Sequence, residues 1–192
     1  NDAARIGSLA LDGSGSVQRG GPALVIDGNM AVKAADMRFA DPGLAEALGP
    51  TLDARTGFRW QAGEPLRLTD LTGKAGDMAL AGDLAISGAG LDLQTDGTLT
   101  LDAPDLSRFA TLAGRPLKGA ADANLTGRLY LLSRAFDLTG TVAGQDISTG
   151  IENLDRLSQG KTSIELAARR DEQGLTLSRL ALAGPGYSAS GM

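Results

Sequence analysis

Two residue types that carry much of protein chemistry are missing from this sequence of 192 residues, which contains no cysteine and no histidine. Without cysteine there can be no disulfide, no thiolate nucleophile and no cysteine-based metal site. Without histidine the chain lacks the usual general base and the commonest transition-metal ligand. We expect a protein that is not an enzyme. Aromatic residues are also scarce, with 1 Trp, 2 Tyr and 4 Phe, which fits many short strands with small side chains.

Long runs of one kind of residue are missing as well. No stretch approaches the roughly 18 consecutive apolar residues that indicate a membrane-spanning helix. There is no long Lys/Arg run and the formal net charge is -5, so the clustered basic charge that phosphate binding requires is absent. We predict no nucleic-acid partner and no cofactor. Because the chain begins at Asn1 without an initiator methionine, we expect it to be a segment of a longer protein.

Glycine is abundant, and period-two alternation of apolar and polar residues is the dominant pattern. In Met78–Ile86 and in Leu91–Leu101 the Met, Leu and Ile residues share one phase, while residues such as Asp83, Gln94 and Thr98 take the other. Such alternation places the two sets on opposite faces of a β-strand. The 27 Gly and 7 Pro residues supply turns between short strands, and Gly13–Ser16 is predicted to end the first one. We predict a mainly β fold with an elongated, twisted antiparallel sheet.

Three segments break the alternation with signals for short α-helices. Asp41–Pro50 offers an N-cap aspartate, a proline in the first turn and a Gly-Pro end. Ala103–Gly114 has a proline near its start and a glycine past its end. Gly150–Leu157 follows a pattern typical of a capping box, in which Thr149 and Glu152 would each bond the other's backbone. We therefore predict two or three short helices.

The chain also contains an internal repeat. Leu66–Leu71 matches Leu175–Leu180, and Met78 matches Tyr187 at the same offset. The apolar phase of the first copy slips by one residue near Thr69–Asp70, which indicates a bulge. Repeats of this kind favour one continuous sheet over residues 1–192, extended by addition rather than closed into a globule. The loose repeat units lie near 41–102, 103–148 and 149–192.

Motifs for catalysis or ligand binding are weak. Gly160-Lys161-Thr162 resembles the end of a phosphate-binding loop, but the glycine required five positions earlier is Asp155. The carboxylates fall mostly on the polar phase of the strands, and no Asp-rich loop has the spacing of a calcium site. We interpret them as a solvated outer face, and we predict no catalytic residue and no metal site.

The apolar phase of the strands is the strongest candidate for a functional surface. Its residues could form the dry core of a closed sandwich or barrel, or an apolar groove that binds acyl chains or an apolar polypeptide. The pattern alone favours the core, because every half-buried sheet needs one. The candidate groove residues are Leu24, Ile26, Phe58, Trp60, Leu80, Leu84, Ile86, Leu91, Leu93, Leu99, Leu101, Leu125, Leu129 and Leu138.

The Gly-rich amphipathic strands with short inserts resemble the TamB family, the inner-membrane-anchored subunits of the translocation and assembly module. These are long AsmA-like proteins of the double-membrane bacterial envelope. The resemblance covers essentially the whole chain. It is carried by the inserts Ala40–Pro50, Ala103–Leu117 and Gly150–Leu157 and by the phrases Leu66–Leu71 and Gly174–Leu180.

This resemblance implies a periplasmic segment of a protein that is anchored in the inner membrane and reaches the outer membrane, where its C-terminal part meets the barrel protein TamA. Family members are associated with phospholipid movement between the membranes and with assembly of outer-membrane proteins such as autotransporters. Their sheets curl into a taco-shaped trough with an apolar interior. The resemblance thus favours the groove over the closed core, with phospholipid acyl chains as the ligand and a TamA-like barrel as the partner of the parent protein.

Two further functions stay open at this point. The protein could be a chaperone-like scaffold that binds client β-strands at its sheet edges. It could instead be an envelope hydrolase, which would require a polar cluster inside the trough.

Overall fold

One large open sheet forms the body of the molecule. The structure is a computed structural model that describes residues 4–20, 23–88, 93–130, 133 and 135–191. Strands account for 69% of the chain, and eleven of them form an antiparallel sheet that does not close into a barrel. The predicted mainly β, antiparallel fold is confirmed. The closed sandwich or barrel that alternation alone favoured is not formed, since no pairing joins the two outermost strands of the sheet in the described part of the chain.

The sheet is a meander in which almost every strand pairs with its neighbours in sequence. The strands are β1 (Ala4–Arg5), β2 (Ser8–Gly20), β3 (Ala23–Ala35), β4 (Arg38–Phe39), β5 (Leu52–Gln61), β6 (Leu66–Ala75), β7 (Met78–Ser87), β8 (Gln94–Ala103), β9 (Lys118–Tyr130), β10 (Phe136–Ser148), β11 (Lys161–Asp171), β12 (Gly174–Gly184) and β13 (Tyr187–Gly191). The order in the large sheet is β13-β12-β11-β10-β9-β8-β7-β6-β5-β3-β2, and β1 pairs with β4 in a separate two-stranded sheet.

Short helices connect strands at one end of this sheet. They are α1 (Pro42–Leu48), a 3-10 turn (Leu106–Phe109) that continues into α2 (Ala110–Ala113), and α3 (Glu152–Leu157). They follow the segment β3–β4, β8 and β10, respectively. Because antiparallel strands alternate in direction, all of these connections lie at the same end, which we call the helix end. Most of the simple strand turns lie at the opposite end, which we call the hairpin end.

The predicted helix positions are confirmed, but one predicted cap is wrong. The Asp41 carboxylate accepts a hydrogen bond from the Leu44 N–H at 2.9 Å, as expected for the N-cap of α1. At α3 the Thr149 N–H and hydroxyl donate instead to the Asp155 carboxylate, at 2.6 and 3.0 Å. Glu152 forms an ion pair with Arg156. An ionised acceptor one turn further along the helix therefore replaces the predicted capping box.

Strand register sorts the side chains onto two faces. Directly paired residues in antiparallel strands point to the same side. Leu84 pairs with Leu68 and Gly97, and Thr98 pairs with Asp83 and Thr126. Extending these two sets along all eleven strands gives a mainly apolar face and a mainly polar face, with exceptions such as Arg19 and Arg170 on the first and Val25 on the second. The alternation seen in the sequence is thus a property of the whole sheet.

The bulge predicted near Thr69–Asp70 is confirmed. The register of β6 shifts against both neighbouring strands at this point, and Asp70 has a left-handed backbone with φ 52. The Asp70 N–H donates to the Asp83 carboxylate at 3.0 Å, which supports this unusual conformation. In β12 a matching shift leaves Ser178 as the extra residue. Its position is the one that the sequence repeat assigns to Thr69.

The molecule exposes far more surface than a compact protein. Its accessible surface is 12474 Å², whereas a compact monomer of 19.6 kDa would expose about 8,600 Å². Few side chains are buried, and most buried apolar residues lie at the helix end. There Ala34, Met78 and Ala103 are exposed by only 2–7%. The sheet therefore has a small core at one end and an uncovered apolar face elsewhere.

Candidate functional site: the open apolar face

The structure brings nearly all of the predicted groove residues onto one surface. The register places twelve of them on the apolar face of strands β3 to β10: Leu24, Ile26, Phe58, Trp60, Leu80, Leu84, Ile86, Leu99, Leu101, Leu125, Leu129 and Leu138. Leu93 lies just before β8 and is exposed. Leu91 lies outside the described residues. The candidate site is therefore a continuous surface rather than a scatter of separate leucines.

The apolar face extends beyond the residues singled out from sequence. Strand pairing adds residues of β2, β11 and β12, which lie beyond the predicted set. It also adds residues of β6, where Leu68 lies between Phe58 and Leu84. The signal for these residues was present in the sequence, because each belongs to an alternating run. The added residues include Leu9, Leu11, Val17, Met30, Leu66, Leu68, Phe136, Val142, Ile164, Leu166 and Leu182.

The large side chains on this face are only partly covered. Leu24, Trp60 and Leu129 are exposed by 37–39%, and Leu84 and Leu99 are half-buried. In a closed core, residues of these types would be almost fully buried. What covers them here is chiefly their neighbours on the same sheet. The face therefore offers apolar area that water still contacts.

Glycine residues that pair with leucines keep the apolar face low. Leu84 pairs with Gly97, and Leu99 pairs with Gly82. A methyl group placed on Gly97 would lie 2.9 Å from Leu84 Cδ2, and one on Gly82 would lie 3.0 Å from Leu99 Cδ2. Each leucine therefore leans across the space that its glycine partner leaves open. The result is a low surface in which side chains lie beside one another rather than project.

At the hairpin end the apolar face meets a hollow of about 790 Å³. The hollow is lined by Trp60, Leu66, Ile86, Leu93 and Tyr130, together with polar groups such as Glu64 and Gln94. Trp60 is the sole tryptophan of the protein. Tryptophan and tyrosine combine a large apolar ring with one polar group, which suits them to a boundary between apolar and wet surroundings. This end of the face is therefore the more accessible one.

At the helix end, by contrast, the inserts form a small packed cap. Gly43 of α1 is buried, and a methyl group added to it would lie 2.9 Å from Leu112 Cγ. Glu46 accepts a hydrogen bond from the Thr111 hydroxyl, which joins the same two helices. Arg108 donates to the Ala75 carbonyl at 3.2 Å and forms an ion pair with Asp77. These contacts anchor the helical inserts to the β6–β7 hairpin.

The polar face carries paired charges. Asp53 lies 3.7 Å from both Lys33 and Arg55, and Asp96 lies 2.7 Å from Arg128. A hydrogen bond from Gln94, assisted by Arg128, lowers the pKa of Asp96 below its ordinary value. A second hollow of about 680 Å³ is lined mainly by residues of this face, such as Arg55, Lys74 and Asp102, and Leu80 and Leu101 of the apolar face also border it. The arrangement is that of a hydrated surface opposite the apolar one.

Neither a metal-binding group of side chains nor a membrane-spanning helix is found within the described ranges. No group of three or more metal-ligating side chains is placed to hold a metal ion. None of the helices there is both long and apolar enough to span a membrane. In comparisons with known proteins, no family model, no curated protein and no solved structure matches the chain. The fold and the surface define an open antiparallel sheet with one uncovered apolar face.

Proposed function

We propose that the open apolar face binds the acyl chains of phospholipids, as one section of a hydrophobic conduit that moves lipids between the two membranes of a bacterial envelope. The observation that carries the proposal is the continuous apolar face, which runs across the sheet and is uncovered outside the helix end. Such a face suits long unbranched chains, because they can lie along the leucines without any polar group to satisfy. Headgroups would stay in water at the rim.

The energetics favour such binding without specific polar contacts. Burial of apolar surface contributes about 25 cal/mol per Å², or about 0.8 kcal/mol per methylene. Leu84, Leu99 and their neighbours remain partly wet in the free protein, so an acyl chain that covers them removes apolar surface from water on both partners. No covalent step is needed. We accordingly propose a transport function and not an enzymatic one.

The proposed setting follows from the resemblance to the TamB family. As in that family, the chain would be a periplasmic part of a longer protein that is anchored in the inner membrane and acts with a TamA-like outer-membrane barrel. The same face could serve outer-membrane protein assembly, including that of autotransporters, by holding apolar segments of a client. Lipid is the ligand that we propose first, since an acyl chain has no backbone hydrogen bonds to satisfy.

Trp60 offers a direct test, because it is the sole tryptophan and lies on the apolar face. We expect phospholipids with brominated acyl chains to quench its fluorescence, and native mass spectrometry to detect lipid on the purified protein. Leu129→Asp should reduce the quenching. Thr126→Asp, on the polar face of the same strand β9, should leave it unchanged.

Folding is checked in both variants by circular dichroism. The proposal fails if brominated lipid does not quench Trp60 in the folded wild-type protein. It also fails if Leu129→Asp and Thr126→Asp, both folded, have the same effect, since lipid would then bind without regard to the face.

A further inference from the structure

The sequence repeat is matched by a repeat of whole structural units. Strands β2 and β3 are 13 residues each, as are β9 and β10. The second strand of each pair reaches an aspartate with a left-handed backbone, Asp36 directly after β3 and Asp146 near the end of β10. A short helix follows in both copies, after β4 in the first of them, and then come three strands of which the second carries the bulge. The pair β2–β3 is therefore the structural equivalent of β9–β10.

Side chains agree with this equivalence. Asp36 is taken as the equivalent of Asp146. The pairing of β2 with β3 and of β9 with β10 then assigns each paired residue of β2 to one residue of β9 at a constant offset in residue number. Both apolar sets then fall on the apolar face, and both polar sets fall on the polar face. On β2, Leu11, Gly13 and Gly15 take the places of Ala123, Leu125 and Gly127, while Asp12 and Ser14 take those of Asn124 and Thr126.

The equivalent strands β9 and β2 differ at the edge that does not pair with β10 or β3. The outer edge of β9 pairs with all ten residues of β8, whereas β2 is the last strand of the sheet in the part of the chain that the structure describes. Leu9, Leu11 and Val17 are exposed by 54–66% there. Natural edge strands are usually protected by lysine, proline or a bulge. β2 has neither lysine nor proline, and its register with β3 shows no shift.

We infer that the outer edge of β2 is a strand-binding surface, and that its occupant is an antiparallel amphipathic strand with the pattern of β8. In that pattern Thr98 and Thr100 face the polar side, while Leu99 and Leu101 face the apolar side and Gly97 leaves room for a leucine of the next strand. The equivalence predicts the register, with Thr100 opposite Asp12, Thr98 opposite Ser14 and Leu99 opposite Gly13. Binding would continue the apolar face by one strand.

Cysteine trapping tests both the binding and the register, because the protein has no cysteine of its own. The probe is a synthetic peptide with the sequence of residues 94–103, carrying Thr100→Cys or Thr98→Cys. The full chain carries Asp12→Cys or Ser14→Cys. In-register residues of an antiparallel pair lie close enough for a disulfide. We expect the pairs 12 with 100 and 14 with 98 to form disulfides on the order of tenfold faster than the crossed pairs.

A control peptide distinguishes strand pairing from nonspecific apolar binding. Built on the Thr98→Cys peptide, it interchanges Leu99 with Thr100 and Leu101 with Asp102, which keeps the composition and reverses the phase of these four residues. We expect this peptide to show no register preference. Equal rates for matched and crossed pairs would overturn the inference, and so would preferential disulfide formation between two Asp12→Cys protein chains, since the occupant would then be a second copy. The result is independent of lipid binding, which Trp60 quenching reports on the same protein.

Discussion

The two ends of the apolar face have the same alternation of apolar and polar residues, but their side chains differ in exposure. At the helix end, Ala34, Met78 and Ala103 are buried, and the helical inserts contact the strands there, for example through Arg108 and the Ala75 carbonyl. Toward the hairpin end, Leu24 and Trp60 are exposed although they are larger and more apolar than alanine. A fold that used its inserts to bury as much apolar surface as it could would cover the leucines. Here the buried residues at the helix end are mostly alanines, and most leucines stay open.

Side-chain size explains how this arrangement is built. The row of residues beneath the helix end includes Ala34, Leu52, Ala75 and Met78, which pair across β3, β5, β6 and β7, and Ala103 and Ala121, which pair across β8 and β9. Small residues let a helix approach the sheet closely, and Gly43 allows α1 to approach Leu112 in the same way. The helix end therefore supplies stability, whereas the open part is free for binding. The following experiments test this division.

The largest effect is expected from a charge placed at the helix end. Ala103→Asp would bury a carboxylate with no partner, and we expect it to lower the free energy of unfolding by about 3–5 kcal/mol. Leu129→Asp places the same charge on the open part, where water can solvate it, and we expect about 1 kcal/mol or less. Urea unfolding followed by Trp60 fluorescence measures both. Equal losses would mean that the open part is as much a core as the helix end.

A milder pair of substitutions compares packing alone. Met78→Ala removes a buried side chain and leaves a cavity, so we expect a loss of about 2–3 kcal/mol. Leu24→Ala removes a side chain that is already partly wet, and we expect about 1 kcal/mol or less. The same urea experiment applies, with the slope of the unfolding free energy against urea checked for constancy. A larger loss for Leu24→Ala than for Met78→Ala would contradict the division into a stable end and an open one.

How much of this comparison the sequence reveals depends on how local each feature is. Alternation is a property of each strand alone, so the faces of Leu84 and Leu99 follow directly from it. The bulge at Thr69–Asp70 is equally local, because it shows as a slip in phase. Glycine misled the prediction once: Gly13–Ser16 was expected to end the first strand, yet β2 continues to Gly20. Pairing with β3 along its whole length holds that glycine-rich stretch extended.

Features that depend on contacts between segments far apart in the sequence could not be predicted. The sequence indicates where the helices start, but it does not show which row of the sheet they cover. The contact of Gly43 with Leu112 and the ion pair of Arg108 with Asp77 depend on packing between inserts and hairpins. Whether the sheet closes is likewise decided by its edges and not by alternation. Alternation thus identifies the groove residues, whereas the openness of the sheet was predicted only from the repeat and from the family resemblance.

A third comparison concerns the anchor of the helix end. Arg108 is 13% exposed and contacts both Asp77 and the Ala75 carbonyl. We expect Arg108→Ala to cost about 1–2 kcal/mol, since a hydrogen bond to a charged group is lost and the carbonyl loses its partner. Arg156→Ala removes an ion pair whose arginine is 70% exposed, and we expect a change within about 0.5 kcal/mol.

Hydrogen exchange locates the effect of Arg108→Ala. Exchange should accelerate in Leu106–Ala113 and in α1, which packs on that segment, while β10 and β11 keep their protection. If protection fell evenly over the whole sheet, Arg108 would support the fold as a whole and would not serve as a local anchor of the inserts.

The smallest effect is expected at α3, where Asp155 closes the loop that precedes the helix. The Thr149 N–H is the main cause of the lowered pKa of Asp155, and Ser148, the Thr149 hydroxyl and the Gly150 N–H add to it. A carboxylate whose pKa is lower in the folded state stabilises that state above its unfolded pKa, and this stabilisation is lost as the pH falls through the folded value. The advantage of wild type over Asp155→Asn should therefore be constant near neutral pH and shrink below the ordinary aspartate value of 3.8.

Hydrogen exchange of the Thr149 and Gly150 amides, measured between about pH 5 and pH 2.5, reports this loop directly. Because hydrogen bonds and not long-range charge are the main cause of the shift, the pH dependence should persist when salt is added to 1 M, where charges on the exposed surface are screened beyond about 3 Å. The open face has no counterpart to this network, so Trp60 quenching by brominated lipid should stay unchanged in Asp155→Asn. A loss of quenching would show that the helix end shapes the lipid surface as well as stabilising the sheet, and the two ends would then act as one site.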